Sequence, residues 1–320
     1  MRPFPGLAKL ADVTKAALPA QQRLTSLDRL RGGSKKGVYR LGFADQSTVV
    51  AYIWDPAENF WPAPAEDAGP FSEASGADLF EASHGCLEAA SVPVPRVFAV
   101  DRSHRHYPAD IAFVEDVRGG SLETWLAEDP EAARPAVTRL GETLATLEQC
   151  RSPAIGMVAA IQRAERRTCP QIVLDRARAD LAWAAGRVER LRAVRDDLDA
   201  ELSRLARLPG RATHALVHGE LGPDHVLIND RGDPVLIDIE GLMYFDPEWE
   251  HAFLRLRFGE HYPWLRPGPL DDERVRLYSL AMHLSLIAGP LRLLEGDFPD
   301  REPMLAIVEH NINAALAFAG

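Results

Sequence analysis

A chain of 320 residues is long enough for two lobes with separate cores, because single hydrophobic cores stop growing near about 250–300 residues. Apolar residues at 46% and charged residues at 26% are those of an ordinary soluble globular protein and suggest neither a disordered nor a membrane class. A formal charge of −11 disfavours phosphate backbones as partners, so no nucleic-acid partner is expected.

The N-terminus, MRPFPGLAKLADVTKAALPA, has a basic start but no continuous apolar core with a cleavage site, which argues against a signal peptide. The longest apolar stretches, such as Leu280 to Ala288, fall short of the roughly 20 residues needed to cross a bilayer. No membrane association is expected, and the cytoplasm is the expected compartment. Cys86, Cys150 and Cys169 are too few and too widely spaced for a disulfide framework or a thiolate zinc cluster, and read as buried, inert thiols.

Three short strands come first: Leu27 to Leu30, Val38 to Phe43 and Thr48 to Trp54. The linker ADQS is short enough for a hairpin, while RGGSKKG is a longer glycine-rich, lysine-bearing loop that reads either as a phosphate cradle, with Gly32, Gly33, Ser34, Lys35 and Lys36 as candidates, or as an ordinary hairpin turn, since it holds no G-x-G-x-x-G. The Pro-rich acidic segment DPAENFWPAPAEDAGPFSEASG reads as a surface excursion. Leu79, Cys86, Leu87 and Ala90 then recur at helical spacing over Ala77 to Ala90. SVPVPRVFAVD and IAFVEDV read as strands, and Gly119 and Gly120 release the chain into a helix at SLETWLAEDP.

Beyond it, Val137, Leu140, Leu144 and Leu147 predict one amphipathic helix, and the apolar residues from Leu181 to Leu205 predict a longer one. HALVHG, HVLIND and DPVLIDIEG interrupt with short β-rich runs, and the remainder returns to helix. In LVHGELGPDHVLINDRGDPVLIDIEGLMYFDPEWE, two strand-like runs are joined by an RGD turn and flanked by acids. Runs this short end in tight turns, so Glu220, Asp224 and His225 at one loop and Asp238 and Glu240 at the other can face one cleft. Oxygen ligands of that kind suit Mg²⁺, which takes one or two protein carboxylates alongside substrate phosphates. Asp271, Asp272, Glu273 and the aromatic-rich EWEHAFLRLRFGEHYPW are candidates to line an acceptor pocket or, more simply, a solvated helix start.

These residues resemble the aminoglycoside phosphotransferase and choline kinase family, which carries H-G-D-x-x-x-x-N, a hairpin, I-D-[FW]-E and then D-P. The corresponding positions here are His218-Gly219-Glu220, His225, Ile237-Asp238-Ile239-Glu240 and Asp246-Pro247. The resemblance implies a two-lobed, protein-kinase-like α+β fold, with an antiparallel β-rich N-lobe over 1–117 and a larger helical C-lobe over 118–320. It implies transfer of a phosphoryl group from ATP or GTP to a hydroxyl of a small molecule. Glu220 then becomes the base, His225 and Asp238 the metal ligands, His218 a brace of the loop, and Asp246 an orienting residue that caps the helix beginning at Pro247. Backbone groups of Glu115, Asp116 and Val117 take the place of the family's purine-binding hinge.

Four positions depart from the pattern. Glu220 stands where aspartate is usual, His225 where asparagine is usual, and Ile239 where an aromatic is usual. The imidazole is a softer ligand than an amide, which brings Mn²⁺ into consideration beside Mg²⁺. The third strand, TVVAYIW, has no lysine where the family pairs the nucleotide phosphates. Lys35 and Lys36 are the nearest cations that could substitute, with Glu81 as the residual partner of the absent lysine. Two other readings follow from these departures: a pseudokinase-like nucleotide-binding protein without transfer activity, and a metal-dependent hydrolase with His218, Glu220, His225 and Asp238 around zinc.

Overall fold

The structure, a computed structural model, describes residues 2, 4–30, 33–61, 71, 75–160 and 166–319. A five-stranded sheet is built from β1 (Leu24–Arg29), β2 (Gly37–Phe43), β3 (Thr48–Ile53), β4 (Val97–Asp101) and β5 (Ile111–Glu115), in the order β1-β2-β3-β5-β4. Each neighbouring pair is antiparallel. Strand periodicity of two gives this sheet two apolar faces. Val49, Ala51 and Ile53 of β3 pack with Leu10 and Val13 of α1 (Leu7–Ala17), a helix the sequence reading did not assign. Val50 and Tyr52 face the other way, toward Phe80 and Leu87 of α2 (Ala77–Ala89).

The segment between β3 and α2 is more than a surface excursion where it is described. Asp55 caps a short 3₁₀ turn at Pro56–Glu58, and Glu58 is fully buried, bonded by the Tyr39 hydroxyl and by Arg29 at 2.9 Å. Phe71 docks on Trp249 and Phe245 in the other lobe, with ring centroids 4.6 and 5.3 Å apart. Aromatic rings and a paired charge outweigh the Pro-rich composition there.

After β5 the chain enters α3 (Leu122–Glu128) and α4 (Pro130–Gln149), each started by a side-chain cap, Ser121 and Asp129. A small sheet follows from β6 (Arg151–Ser152), β7 (Gly156–Met157), β8 (His214–Val217) and β11 (Met243–Phe245), with order β6-β8-β11-β7. Between β8 and β11 lies the hairpin of β9 (Val226–Ile228) and β10 (Pro234–Leu236).

The long helix expected from Leu181 to Leu205 is instead three. α5 (Cys169–Ala185) begins earlier, on a capping box of Thr168 and Gln171, and stops at Gly186; α6 (Glu189–Ala193) and α7 (Arg195–Leu205) follow. Breaks at Gly186 and Val194 let Leu191, Leu198, Leu202 and Leu205 all reach the same core from a folded-back path.

α8 (Pro247–Phe258), α9 (Asp272–Leu294) and α10 (Arg301–Leu316) complete the lobe. Among the described residues α9 alone is long and apolar enough to cross a membrane, and 61% of its most apolar stretch is buried in the protein. It is the central core helix here, with Leu277, Tyr278, Leu280, Leu284 and Ile287 fully or almost fully buried.

Candidate active site

β8 and β11 are neighbours in the small sheet, with Val217 opposite Met243. One strand therefore delivers His218-Gly219-Glu220 where the other receives the chain from Asp238-Ile239-Glu240. Gly219 has φ +97, a left-handed conformation that favours glycine and that turns Glu220 outward. The Glu220 side chain is exposed, while its backbone is tightly held. Buried Glu250 of α8 accepts from the N–H of Gly219 at 2.8 Å and from that of Leu221 at 3.2 Å, bracing both sides of Glu220. His225 donates from Nδ1 to the Glu220 carbonyl at 2.8 Å.

That bond leaves Nε2 of His225 directed at carboxylates: Asp238 Oδ2 at 3.6 Å and Asp224 Oδ2 at 3.7 Å. Burial opposes charge on His225, but Asp238 and Asp224 outweigh it and hold its pKa above the ordinary histidine value. His218 is buried at 1% exposure, with Nε2 bonded to the Ile237 carbonyl at 2.9 Å and its ring stacked near His225 at 6.0 Å.

Asp238 sits in a left-handed backbone conformation, φ 58, ψ 45, which aspartate tolerates better than most residues. Its carboxylate meets Lys36 Nζ at 2.7 Å. Lys36 comes from the glycine-rich loop, is 7% exposed, and also pairs with buried Glu240. Burial would lower the Lys36 pKa, yet Asp238 and Glu240 raise it well above the usual lysine range. Burial would likewise raise that of Asp238, yet Lys36 and His225 drive it well below the carboxylate range. The loop doubles back at Gly33, where a Cβ would run into the Lys36 carbonyl oxygen.

The remaining expected residues fall as follows. Ser34 accepts from Trp61 Nε1 at 2.9 Å, and the Lys35 carbonyl accepts from Ser75 at 3.3 Å, while Lys35 Nζ lies 5.6 Å from the Trp61 ring centroid; Gly32 lies outside the described residues. Glu115 ends β5, and Asp116 is held by a two-pronged pair with Arg40 at 2.8 and 2.9 Å, followed by Val117. Glu81 does not partner the buried lysine: it pairs with Arg102 at 3.3 Å. The zinc set of the hydrolase reading does not form a donor cluster: among the described residues His218, Glu220, His225 and Asp238 include no three with ligand atoms all within 4.8 Å of one another. Among the described residues the three donors that do cluster, Cys169, His214 and Asp246, lie elsewhere and are all buried.

Asp246 holds the N-terminal position of α8 without a side-chain cap bond. Its fully buried carboxylate instead accepts from Arg274 and from the Tyr278 hydroxyl at 2.6 Å, tying α9 to the start of α8. Of the candidates for an acceptor pocket, Asp271 caps α9 through the N–H groups of Glu273 and Arg274, and Glu248 makes a forked pair with Arg211. Sequence reasoning missed the role of Glu250 altogether. A buried-facing acid one turn into a helix beside two loop amides was its only signal.

The model of the phosphotransferase enzyme family matches residues 53–282. The chain belongs to this family. Solved structures agree on the two-lobed, kinase-like α+β fold of the phosphotransferase. A mutant aminoglycoside 2'-phosphotransferase-IIIa in its GDP complex superposes with TM-score 0.70 at 18% identity, covering 98% of this chain and 100% of that one. A thermostable mutant of aminoglycoside phosphotransferase APH(4)-Ia gives TM-score 0.65 at 17% identity over 97% and 99% of the two chains. A complex of APH(2")-IIia with GDP and kanamycin gives 0.65 at 18% over 96% and 97%. No curated protein matches the sequence.

Proposed function

We propose that this phosphotransferase moves the γ-phosphoryl group of ATP or GTP to a hydroxyl of a small molecule, with Glu220 as the base. The observation that carries this reading is the opposition of an exposed Glu220, locked by Glu250 and His225, to a carboxylate–lysine cluster of Asp238 and Lys36. The donor set fits a divalent cation: His225 commits Nδ1 to a carbonyl, which leaves Nε2 as a lone-pair donor facing Asp238. Asp238 and His225 would hold Mg²⁺ or Mn²⁺, which neutralises charge on the nucleotide phosphates when bound. Gly33, Ser34, Lys35 and Lys36 lie on the loop that would cover those phosphates, and the backbone at Glu115, Asp116 and Val117 would meet the base.

In this chemistry the acceptor oxygen bonds to the γ-phosphorus as the bond to the β–γ bridging oxygen breaks, and nucleoside diphosphate leaves. Glu220 takes the hydroxyl proton, while His218 braces the loop through Ile237. The proteins that superpose include one crystallised with kanamycin. An acidic chain of charge −11 suits a cationic acceptor of that kind. Glu220→Gln is expected to lower turnover by about 10²- to 10⁴-fold while leaving nucleotide affinity intact. Turnover across a panel of hydroxylated small molecules and calorimetric titration with nucleotide check both halves. Wild-type protein that binds nucleotide but transfers nothing supports instead a binding protein without transfer activity, a reading favoured by the Lys36 contact that already occupies Asp238.

A further inference from the structure

The inward position of β3 that would carry a lysine is Tyr52, 8% exposed, and Lys36 Nζ lies over its ring at 5.2 Å from the centroid. The cation therefore enters the cleft from the glycine-rich loop. Its counter-charge has moved as well. α2 meets Tyr52 with an aromatic ring, Phe80, edge-on at 5.6 Å. The α2 acids are engaged elsewhere: Asp78 and Glu81 with Arg102, and Glu88 with His84 at 3.4 Å. The carboxylates that reach Lys36 belong to the other lobe, Asp238 and Glu240.

These two acids differ in what they can do. Asp238 has a side chain 46% exposed and also faces His225, so a cation can reach it and compete with Lys36 for its carboxylate. Glu240 is 3% exposed, and its charge is balanced by Lys36. A buried ammonium needs a lasting counter-charge, because losing one partner of a buried pair leaves an uncompensated ion. We propose that Glu240 is a positioning residue, holding the Lys36 ammonium in the cleft when Asp238 turns to a metal, so that an ion pair between the lobes replaces one within the N-lobe. This rests on the reading of the cleft as a nucleotide site.

The test compares wild-type protein with Glu240→Gln, Glu240→Asp, Lys36→Met and the double variant Glu240→Gln/Lys36→Met. Calorimetric titration with AMP-PNP and with GDP, each with Mg²⁺ and with Mn²⁺, reads nucleotide affinity. Mass-spectrometric acylation of the nucleotide-free protein reads access to the Lys36 amine, and far-UV circular dichroism confirms that each variant is folded. Loss of a charged hydrogen bond predicts a fall in affinity on the order of tenfold to a hundredfold for Glu240→Gln, seen in KM for nucleotide more than in kcat. Lys36→Met should lose as much, the double variant no more than either alone, and Glu240→Asp should recover part. Lys36 should acylate faster in Glu240→Gln than in wild type. Wild-type affinity together with unchanged Lys36 acylation in Glu240→Gln overturns the proposal, as does full additivity in the double variant. If wild-type protein binds no nucleotide with either metal, the nucleotide reading fails, whereas the acylation arm still decides whether Glu240 holds Lys36.

Discussion

His225 shows how one residue links the loop to the carboxylates of the proposed metal position. Its Nδ1–H anchors the Glu220 carbonyl, and its Nε2 must be unprotonated to accept a cation. Asp238 and Asp224, outweighing the effect of burial, raise its pKa in the metal-free protein. The protonated form therefore persists to higher pH than for an ordinary histidine, and divalent-cation affinity should fall as pH drops through that raised value. Titration of Mn²⁺ binding against pH checks the sign: affinity should be greatest on the alkaline side. His225→Asn, which cannot be protonated there, should flatten the profile and shift the Mn²⁺-to-Mg²⁺ preference toward Mg²⁺. His225 was legible in the sequence as a candidate ligand. The tautomer-setting carbonyl was not, because it depends on how the Glu220–His225 loop folds back on itself.

At the scale of elements, the junction between α8 and α9 rests on Asp246. Burial raises its pKa, but His214 Nδ1 3.5 Å away, the Tyr278 hydroxyl bond and the charges of Arg274 and Arg211 overcome that and bring it to about 2. Against an unfolded value near 3.9, the shift of roughly two units corresponds to about 2–3 kcal/mol. The sign follows from the depressed pKa: this stability is fully present above about pH 4 and is lost as pH falls through about 2. Urea midpoints measured from pH 5 to pH 2 should show a shallower loss in Asp246→Asn than in wild type. At pH 7 the same variant should be destabilised by about 3–5 kcal/mol, because buried Arg274 loses its closest counter-charge and keeps only Asp271, 3.5 Å away. The D-P signature marked a helix start correctly in position, yet the carboxylate serves α9 rather than the cap. A helix some thirty residues farther along is not visible in a local motif.

At the scale of the molecule, the lobes do not have wholly separate cores. Val50, Tyr52 and Phe80 of the N-lobe share one apolar cluster with Leu122, Leu140, Val226, Leu236 and Leu254 of the C-lobe. The Leu236 N–H also donates to the Pro93 carbonyl at 2.9 Å, stitching β10 to the segment before β4. Continuous burial of this kind couples the unfolding of one lobe to the other. Denaturant unfolding followed by tryptophan fluorescence and by far-UV circular dichroism should therefore give coincident single transitions. Two separated transitions would show that the shared core contributes little. Length alone suggested two cores, and only the packing shows the third that joins them.

By itself the sequence determined the strand runs, the turns between them and the order of the chemical groups, whose resemblance to a family implied the two-lobed fold, while α1 and the breaks between α5, α6 and α7 went unread. Strand runs with period two, turn residues between them, and the spacing from His218 to Pro247 are local properties of the chain, and local propensity with short-range pattern suffices to read them. Tertiary structure alone decided which charges meet. Lys36 finds Asp238 and Glu240 across some two hundred positions, Glu250 braces a loop thirty residues before it, and Asp246 is matched with Arg274. Such pairings follow from burial, where an ion must find a partner, and no spacing along the chain encodes which partner the fold will bring within reach.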